Sequence, residues 1–410
     1  MDFSLNEEQR AWQMKARKFA QEEIRPISLQ RDAIPVPQDT FDWEIIRKGS
    51  KLGFRTAAAP KEFGGHNIDL VTQCVVMAEL AKGDSAISKT FSQNWKWSQL
   101  IAAVCTPEQK ARFLKPFIAD DTYLLGSGTT EPNSGSDNRL PTPGDIQGGV
   151  RLRAERQGDE WILNGEKVFI ANGGIAKLFF VRARTDSKVP AAQGSTLFLV
   201  PVGTPGFRFG KVFNKRGWRF YQNAELIFEN ARVPHANVVG ELNAAARTRE
   251  ADLSEFGELE LAANALGVCE SAVDFAMQRA RNHREGGKPL SDQQLVQLKL
   301  SEMYMHTEAL RSFILRTAWE RDRAVARDEQ ARSFAPAMFV TNFSKTVIQR
   351  VAELNMDIHG AAGLEMDAYA EKLVRDAMIW THLAGDTVTR LKAIRHFIKA
   401  HALPSEIESA

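Results

Sequence analysis

The chain has 410 residues, enough for a large hydrophobic core and, by the usual size of domains, for two or three domains. Its 53 basic side chains are nearly balanced by 51 acidic ones, which argues against a basic surface that binds nucleic acid. The N-terminus has acidic first turns and no apolar run, so we expect no secretory or transit peptide. No stretch approaches the roughly 20 apolar residues of a membrane span, and we expect a cytoplasmic protein.

The first part of the chain has the period of amphipathic helices. Asn6, with Gln9 three residues later, predicts a capping box at the start of the first helix. Helical patterns continue through LVTQCVVMAELAKG and TPEQKARFLKPFI, with breakers between the segments. Residues 1–120 therefore predict an all-helical N-terminal domain.

After Asp121 the pattern changes to short, closely spaced strands. In EWILNGEKVFI, a turn at Asn164 and Gly165 is predicted between two apolar runs. Further strand-like segments follow, namely LFFVRAR, STLFLVPV, GFRFGKVF and AELIFENARVP. Residues 121–241 therefore predict a middle domain that is a small antiparallel β-barrel or sandwich.

Beyond residue 242 the helical period returns, most plainly at Val296, Leu300, Met303 and Leu310. Residues 242–410 predict a C-terminal helical bundle, and its excess apolar surface suggests an oligomer. The fold class is α+β.

Two segments could carry chemistry. Residues 126–138 read GSGTTEPNSGSDN, a loop that could present amides and hydroxyls to a planar heterocycle or an anion, although an ordinary polar turn explains it as well. In EKVFIANGGIAK, Phe169 could pack on a cofactor ring or simply be a core aromatic.

A metal centre has little support. The eight histidines include no HExxH, and His382 with Asp386 makes only a lone pair. The three cysteines form no CxxC and are expected to be inert and buried. We expect no metal ion.

Several ordered segments together resemble the acyl-CoA dehydrogenase family over nearly the whole chain. TTEPNSGSD (129–137) is similar to the family's flavin loop TEPGAGSD, and NGEKVFIANGG resembles its NGxKxWITNG strand. PKEFGG, TPEQKARFLKPFIADD and EKLVRDAMI resemble further family segments. The resemblance implies a helical domain, a β-domain and a C-terminal four-helix bundle, FAD between them, and usually a tetramer. It also implies an acyl-CoA substrate, from which a glutamate removes the α-proton while hydride leaves the β-carbon.

The resemblance assigns residues to the cofactor. Thr129 and Thr130 would bind the flavin ring, Ser136 would lie where flavin and acyl-CoA meet, and Phe169 stands at a flavin-facing tryptophan. Ala171 replaces a threonine that donates toward the flavin. In the patterns for pyrophosphate and adenosine, only two positions are kept. They are Gln294 and Gly360.

Several positions in these patterns depart from the family. His283, Gly286 and Gly287 interrupt the pyrophosphate pattern, and Asp357 puts an acid where a neutral amide is usual. Arg281 or Arg284 could replace the lost guanidinium, and Trp95 with Trp97 could wall an acyl pocket instead of packing in the core.

The customary catalytic glutamate is missing. It aligns with Ala384, and the alternative base position aligns with Gly257. A base moved to a neighbouring position would account for this, with Glu258 and Asp386 as candidates, although each could be a solvated or ion-paired side chain.

The chain could also work without a relocated carboxylate. Its chemistry could need no strong base, as in enoyl-CoA reduction or desulfination. It could be a reduced-flavin two-component monooxygenase in which His382 contacts the flavin adduct. It could also be a non-catalytic subunit of a mixed tetramer. An electron-accepting flavoprotein or a flavin reductase would be the partner of an active form.

Overall fold

The computed structural model describes residues 4–139, 145–245, 254–327, 335–383 and 386–400. The N-terminal region is helical, and its first helix begins with the predicted capping box, in which Asn6 and Gln9 each accept the other's backbone N–H. Its helices are α1 (Glu7–Phe19), α2 (Arg25–Asp32), α3 (Trp43–Lys51), α4 (Leu70–Gly83), α5 (Ser85–Val104), α6 (Pro107–Gln109) and α7 (Lys115–Ala119). Helix α4 is buried almost all round, which places it at the centre of this region.

The middle region is one eight-stranded sheet with the strand order β6-β7-β3-β1-β4-β5-β8, and β2 pairs with both β3 and β4. Its strands are β1 (Leu125–Gly128), β2 (Arg153–Gln157), β3 (Glu160–Ala171), β4 (Leu178–Arg184), β5 (Ser195–Pro201), β6 (Phe207–Val212), β7 (Asn223–Pro234) and β8 (Val238–Val239). Most pairings are antiparallel, as expected. The pairings of β1 and β2 with β4 are parallel, which the alternation of residues does not reveal.

The predicted turn at Asn164 and Gly165 is wrong. Strand β3 runs through both residues, and its register against β7 shifts between Leu163 and Gly165. The Asn164 side chain accepts the Asn230 N–H at 2.8 Å, and Gly165 has a φ of 132°. An Asn-Gly pair supplies the backbone freedom that a bulge needs as readily as the freedom that a hairpin needs.

The C-terminal region returns to helices. They are α8 (Ser254–Asn282), α9 (Gln294–Ala326), α10 (Ala335–His359), α11 (Tyr369–Ile379) and α12 (Asp386–Ala400). A short hairpin separates α8 from α9. Its strands, β9 (Arg284–Glu285) and β10 (Lys288–Pro289), have two residues each. Among the described residues, no helix is both long and apolar enough to cross a membrane.

One large core cluster connects the three regions. It contains side chains from α1, α4 and α5, from the sheet, and from α8 to α11. A smaller cluster joins α5, α7 and the other side of the sheet. The two helical regions also pack directly on each other, with α4 and α5 against α8, and the segment after β1 reaches α12 through the turn Ser136–Arg139.

Candidate flavin and acyl site

The loop that follows β1 is held by a buried carboxylate. Glu131 accepts the backbone N–H groups of Arg151 and Leu152 at 2.7 and 2.9 Å, and its Oε1 lies 2.6 Å from Lys167 Nζ. Burial lowers the pKa of Lys167 to about 8, against the opposing pull of the Glu131 carboxylate. Lys167 also donates to the Thr129 carbonyl at 3.3 Å, so the pair fixes the start of the loop to β3.

A second carboxylate fixes the end of the loop. Asp137 accepts the N–H groups of Gly135 at 2.6 Å and Gly149 at 3.0 Å. Ser136 is left exposed, and the short turn Ser136–Arg139 packs against α12. The loop is therefore rigid at both ends and open in the middle.

Phe169 is turned out of the sheet beside this loop. The neighbouring Val168 N–H donates to the Thr130 carbonyl at 2.9 Å, and the register of β3 shifts between Lys167 and Ile170. Phe169 has a φ of 56° and is 56% exposed, so it is not the core aromatic of the alternative interpretation. A large side chain in the left-handed region is unusual and indicates a local constraint.

The surroundings of Phe169 suit a flat ligand. Its ring stacks on Phe213 with centroids 3.9 Å apart, and its carbonyl accepts the Asn223 side-chain amide at 2.9 Å. Thr129 and Thr130 are half-buried along the same edge. Ala171 closes β3 directly opposite Ser127 on β1. An aromatic face and hydroxyls on one rim can bind a planar heterocycle by stacking and hydrogen bonding.

The positions of the missing base have a different character. A Cβ on Gly257 would lie 2.6 Å from Lys96 Nζ, so an ammonium group occupies the place where the alternative carboxylate would begin. Ala384 lies outside the described residues, and so do the side chains of Glu258 and Asp386. His382 ends a short 3₁₀ turn with an exposed ring and has no partner among the described residues.

The predicted adenosine-side residues are spread over an exposed surface. Gln294 is the exposed first residue of α9, and Gly360 follows α10 with a φ of 60°. The unexpected acid Asp357 pairs with Lys299 at 2.9 Å. Gly286 and Gly287 form the turn of the β9–β10 hairpin with positive φ, and Arg284 donates back to Gly287. In this part of the chain, Asp357, Lys299 and Arg284 thus form ion pairs or hydrogen bonds within the protein.

The tryptophan pair lies in the core. Trp95 is fully buried and donates to the Phe54 carbonyl at 2.6 Å, while Trp97 stacks on Phe180 with centroids 5.0 Å apart. Both are members of core clusters, so core packing, and not the wall of an acyl pocket, describes their place in the fold.

Three side chains that fix or border the candidate site were not predicted from the sequence, namely Glu131, Lys167 and Lys96. The sequence does contain a signal for the Glu131–Lys167 pair. A lysine stands between apolar residues of a strand, and an acid lies in the preceding loop. In the described part of the chain, no group of three or more His, Cys, Asp or Glu residues is arranged to hold a metal ion. All three cysteines are buried, and burial raises the pKa of Cys105 to about 12.

Comparison with known proteins agrees with this architecture. Residues 6–121, 126–231 and 255–398 match the models of the N-terminal, middle and C-terminal domains of acyl-CoA dehydrogenases. A probable acyl-CoA dehydrogenase of Bacillus subtilis (strain 168) is 30% identical, covering 97% of this chain and 100% of the relative. An acryloyl-CoA reductase (NADH) of Anaerotignum propionicum is 31% identical, covering 92% and 91%.

The solved structures give the same result. Butyryl-CoA dehydrogenase from Megasphaera elsdenii superimposes with a TM-score of 0.87 at 28% identity, covering 97% of this chain and 100% of that one. The chain belongs to the acyl-CoA dehydrogenase family of oxidoreductases.

Proposed function

We propose that this chain is a FAD-dependent oxidoreductase that acts on the α,β carbon–carbon bond of an acyl-CoA thioester. The proposal rests mainly on the conformation of Phe169. A bulge in β3 and a left-handed backbone conformation direct its side chain outward, beside a loop that two carboxylates fix. Such constrained and exposed residues cluster where ligands bind. FAD supplies hydride transfer when bound, and the protein supplies orientation and electrostatics.

The chain's own residues have distinct roles in this proposal. Thr129 and Thr130 hydrogen-bond the rim of the flavin ring, Phe169 covers part of it, and Ser136 lies where flavin and acyl-CoA meet. Ala171 leaves one position of the rim without a hydroxyl donor. Gln294 and Gly360 would contact the pyrophosphate and adenosine portions, at the exposed surface described above.

We further propose that the chain favours reduction of an enoyl-CoA over oxidation of an acyl-CoA. Oxidation needs a base to take the α-proton, whereas reduction needs an acid to deliver one. Lys96 Nζ lies against Gly257, so the alternative base position meets an ammonium group that can hold and give a proton. One relative, 31% identical, is named an acryloyl-CoA reductase, which supports the same direction.

The direction is tested by two single-turnover reactions under anaerobic conditions. Dithionite-reduced protein is mixed with crotonyl-CoA, and oxidised protein is mixed with butyryl-CoA. We expect reoxidation to be the faster reaction, and Lys96→Met to slow it by about 100-fold through loss of the proton donor. Lys96→Arg keeps the charge but holds its proton, so it should be equally slow. Faster bleaching by butyryl-CoA, or parental reoxidation in both variants, would contradict this direction.

We also propose three candidates for proton transfer, namely Glu258, Asp386 and His382. Glu258→Gln, Asp386→Asn and His382→Ala are measured in the same two reactions. A relocated base predicts that one of the first two variants slows bleaching by about 100-fold or more. Parental rates in all three would remove these residues from the mechanism.

We propose a tetramer in the cytoplasm, with an electron-accepting flavoprotein or a flavin reductase as redox partner. Exposed apolar side chains on α9 support an interface between subunits, namely Leu295, Leu298 and Met305. Contiguous exposed apolar surface is uncommon on monomers. The molar mass in solution, measured by light scattering, tests this part, and a monomer at micromolar concentration would contradict it.

The overall function has a direct test. Purified protein loaded with FAD is mixed anaerobically with acyl-CoA and enoyl-CoA thioesters, and the visible flavin band is followed. We expect a redox change with one of the two classes. No change with either class, in protein that binds FAD, would overturn the proposed reaction.

A further inference from the structure

A polar seam lies between α5 and α8. On α5, Lys89, Ser92 and Lys96 have the spacing i, i+3, i+7, so they share one face of the helix. On α8, Gly257 and Glu260 are three residues apart and also share a face. The two faces meet at both ends, because Lys96 Nζ lies against Gly257 and Lys89 Nζ lies 2.6 Å from Glu260 Oε1.

The pair at the inner end of the seam is deeply buried. The side chains of Lys89 and Glu260 are only 9% and 3% exposed. Ser92 Oγ also donates to Glu260 Oε1, so both contacts fall on the same oxygen. Glu260 Oε2 takes part in neither of these contacts. A buried ion pair is favourable only when its remaining hydrogen-bonding capacity is met, and here part of it is left over.

The residues beside this pair add further polar capacity. Tyr221 is buried near Glu260, and burial raises the pKa of its phenol, which keeps the hydroxyl protonated. Its hydroxyl lies beside the Gln93 amide without a well-aligned hydrogen bond. Trp218 packs edge-on against Tyr221 with centroids 5.7 Å apart, and its buried indole N–H has no partner in the described part of the chain.

These groups adjoin the proposed reaction centre. Trp218 packs on Trp380 with centroids 4.7 Å apart, and Trp380 donates to the carbonyl of Leu261, the neighbour of Glu260. The outer end of the seam is Gly257, which aligns with an alternative position of the family's base. The seam therefore leads from that position inward to the Lys89–Glu260 pair.

We propose that the seam formed by Lys89, Ser92 and Glu260 receives a neutral hydrogen-bonding group, of which a hydroxyl is the simplest, on the acyl portion of the substrate. This inference rests on the proposed function, because it assumes that an acyl-CoA binds. A hydroxyl would donate to Glu260 Oε2 and accept one of the three N–H donors of Lys89 Nζ, so it would bond to both members of the pair at once. A second carboxylate would be repelled by Glu260, an ammonium would be repelled by Lys89, and a hydrocarbon would leave both unmet.

The test begins with the unmodified protein loaded with FAD. Isothermal titration calorimetry compares butanoyl-, hexanoyl- and octanoyl-CoA with the matching ω-hydroxyacyl-CoA thioesters, and with the ω-carboxy and ω-amino forms. We expect at least one hydroxyacyl-CoA to bind about 10-fold to 100-fold more tightly than its hydrocarbon counterpart, the range for a hydrogen bond to a charged group. The charged forms should bind no more tightly than the hydrocarbon.

Variants test whether the Lys89–Glu260 pair causes the preference for a hydroxyl. The double substitution Lys89→Met with Glu260→Leu replaces the pair by apolar side chains, an exchange that folds tolerate, and should make hydroxyacyl and hydrocarbon thioesters bind about equally. The control is Lys82→Met with Glu270→Leu, which removes the pair between α4 and α8, 2.9 Å apart, together with the contact of Glu270 with Arg311, and should keep the parental preference.

The outcomes distinguish a failure of this inference from a failure of the proposed function. Thioesters that bind with no preference for a hydroxyl at any length, or with a preference for a charged end, would overturn this inference and leave the proposed function standing. A preference that survives in the Lys89/Glu260 double variant would also overturn it. If none of the thioesters binds, the proposed function itself is wrong.

Discussion

The two ends of the proposed flavin site are built differently. At the ring end, the loop after β1 is fixed by Glu131 and Asp137, whose carboxylates satisfy backbone N–H groups and a buried lysine. At the adenosine end, Asp357 forms an exposed pair with Lys299, and a glycine turn precedes Gln294. Buried and fully bonded polar groups hold a site in shape, whereas exposed pairs contribute little. The fold therefore constrains the geometry of the ring end more tightly than that of the adenosine end.

The largest expected effect comes from breaking the anchor of the ring end. Lys167→Met leaves Glu131 buried without its cation and should lower the free energy of unfolding by about 3–5 kcal/mol. Urea denaturation measures it. The control is Arg208→Met in an exposed pair with Glu229, whose side chains are 55% and 66% exposed, and it should cost less than about 1 kcal/mol. Equal losses in the two variants would contradict the distinction.

The next effect separates binding from folding at Phe169. Because this ring is exposed and stacks on Phe213, Phe169→Ala should lower the unfolding free energy by no more than about 1.5 kcal/mol, the value of an aromatic pair, and should weaken FAD binding by about 0.5–1.5 kcal/mol. Phe228→Ala on β7 is the control, since that ring is buried and its loss should cost about 3–5 kcal/mol. A large loss of stability in Phe169→Ala would place the ring in the core after all.

A smaller effect is expected at the adenosine end. Asp357→Asn removes a negative charge at the proposed adenosine position and should tighten binding of the anionic FAD by about twofold to fivefold, the range of an exposed charge interaction. Binding of FMN, which lacks adenosine, should not change. Lys299→Met is the control for loss of the ion pair alone. Weaker FAD binding in Asp357→Asn would show that the acid supports the site.

The smallest effect is expected for His382. Its ring is exposed and has no partner in the described part of the chain, so His382→Ala should change the unfolding free energy by less than about 0.5 kcal/mol. Thermal unfolding followed by circular dichroism is sufficient. A larger change would reveal a contact with residues outside the described ranges.

The sequence could predict the order of helical and β regions because periodicity is a local property. The capping box of Asn6 and Gln9 was confirmed for the same reason. The turn predicted at Asn164 and Gly165 was wrong, because a bulge and a hairpin share the same residue preferences. The domain boundaries after residues 120 and 241 stay predictions.

The site was only partly readable from the sequence. Thr129, Thr130, Ser136 and Phe169 were predicted through the resemblance of their motifs, and their contact with flavin stays a prediction. Glu131 and Lys167 are 36 residues apart, and the contact between Lys96 and Gly257 joins two distant helices. Such pairings depend on how strands and helices pack, so neither propensity nor spacing can reveal them.

The central claim is that the loop Thr129–Asp137 and Phe169 hold the flavin ring. Equilibrium titration of the flavin-free protein with FAD and with FMN, followed by the visible absorption of the flavin, tests it most directly. If the ring end provides most of the binding, both flavins should bind with a perturbed spectrum, and FAD should be favoured by no more than about 10-fold. Binding of FAD without detectable binding of FMN, or no binding of either, would contradict the account.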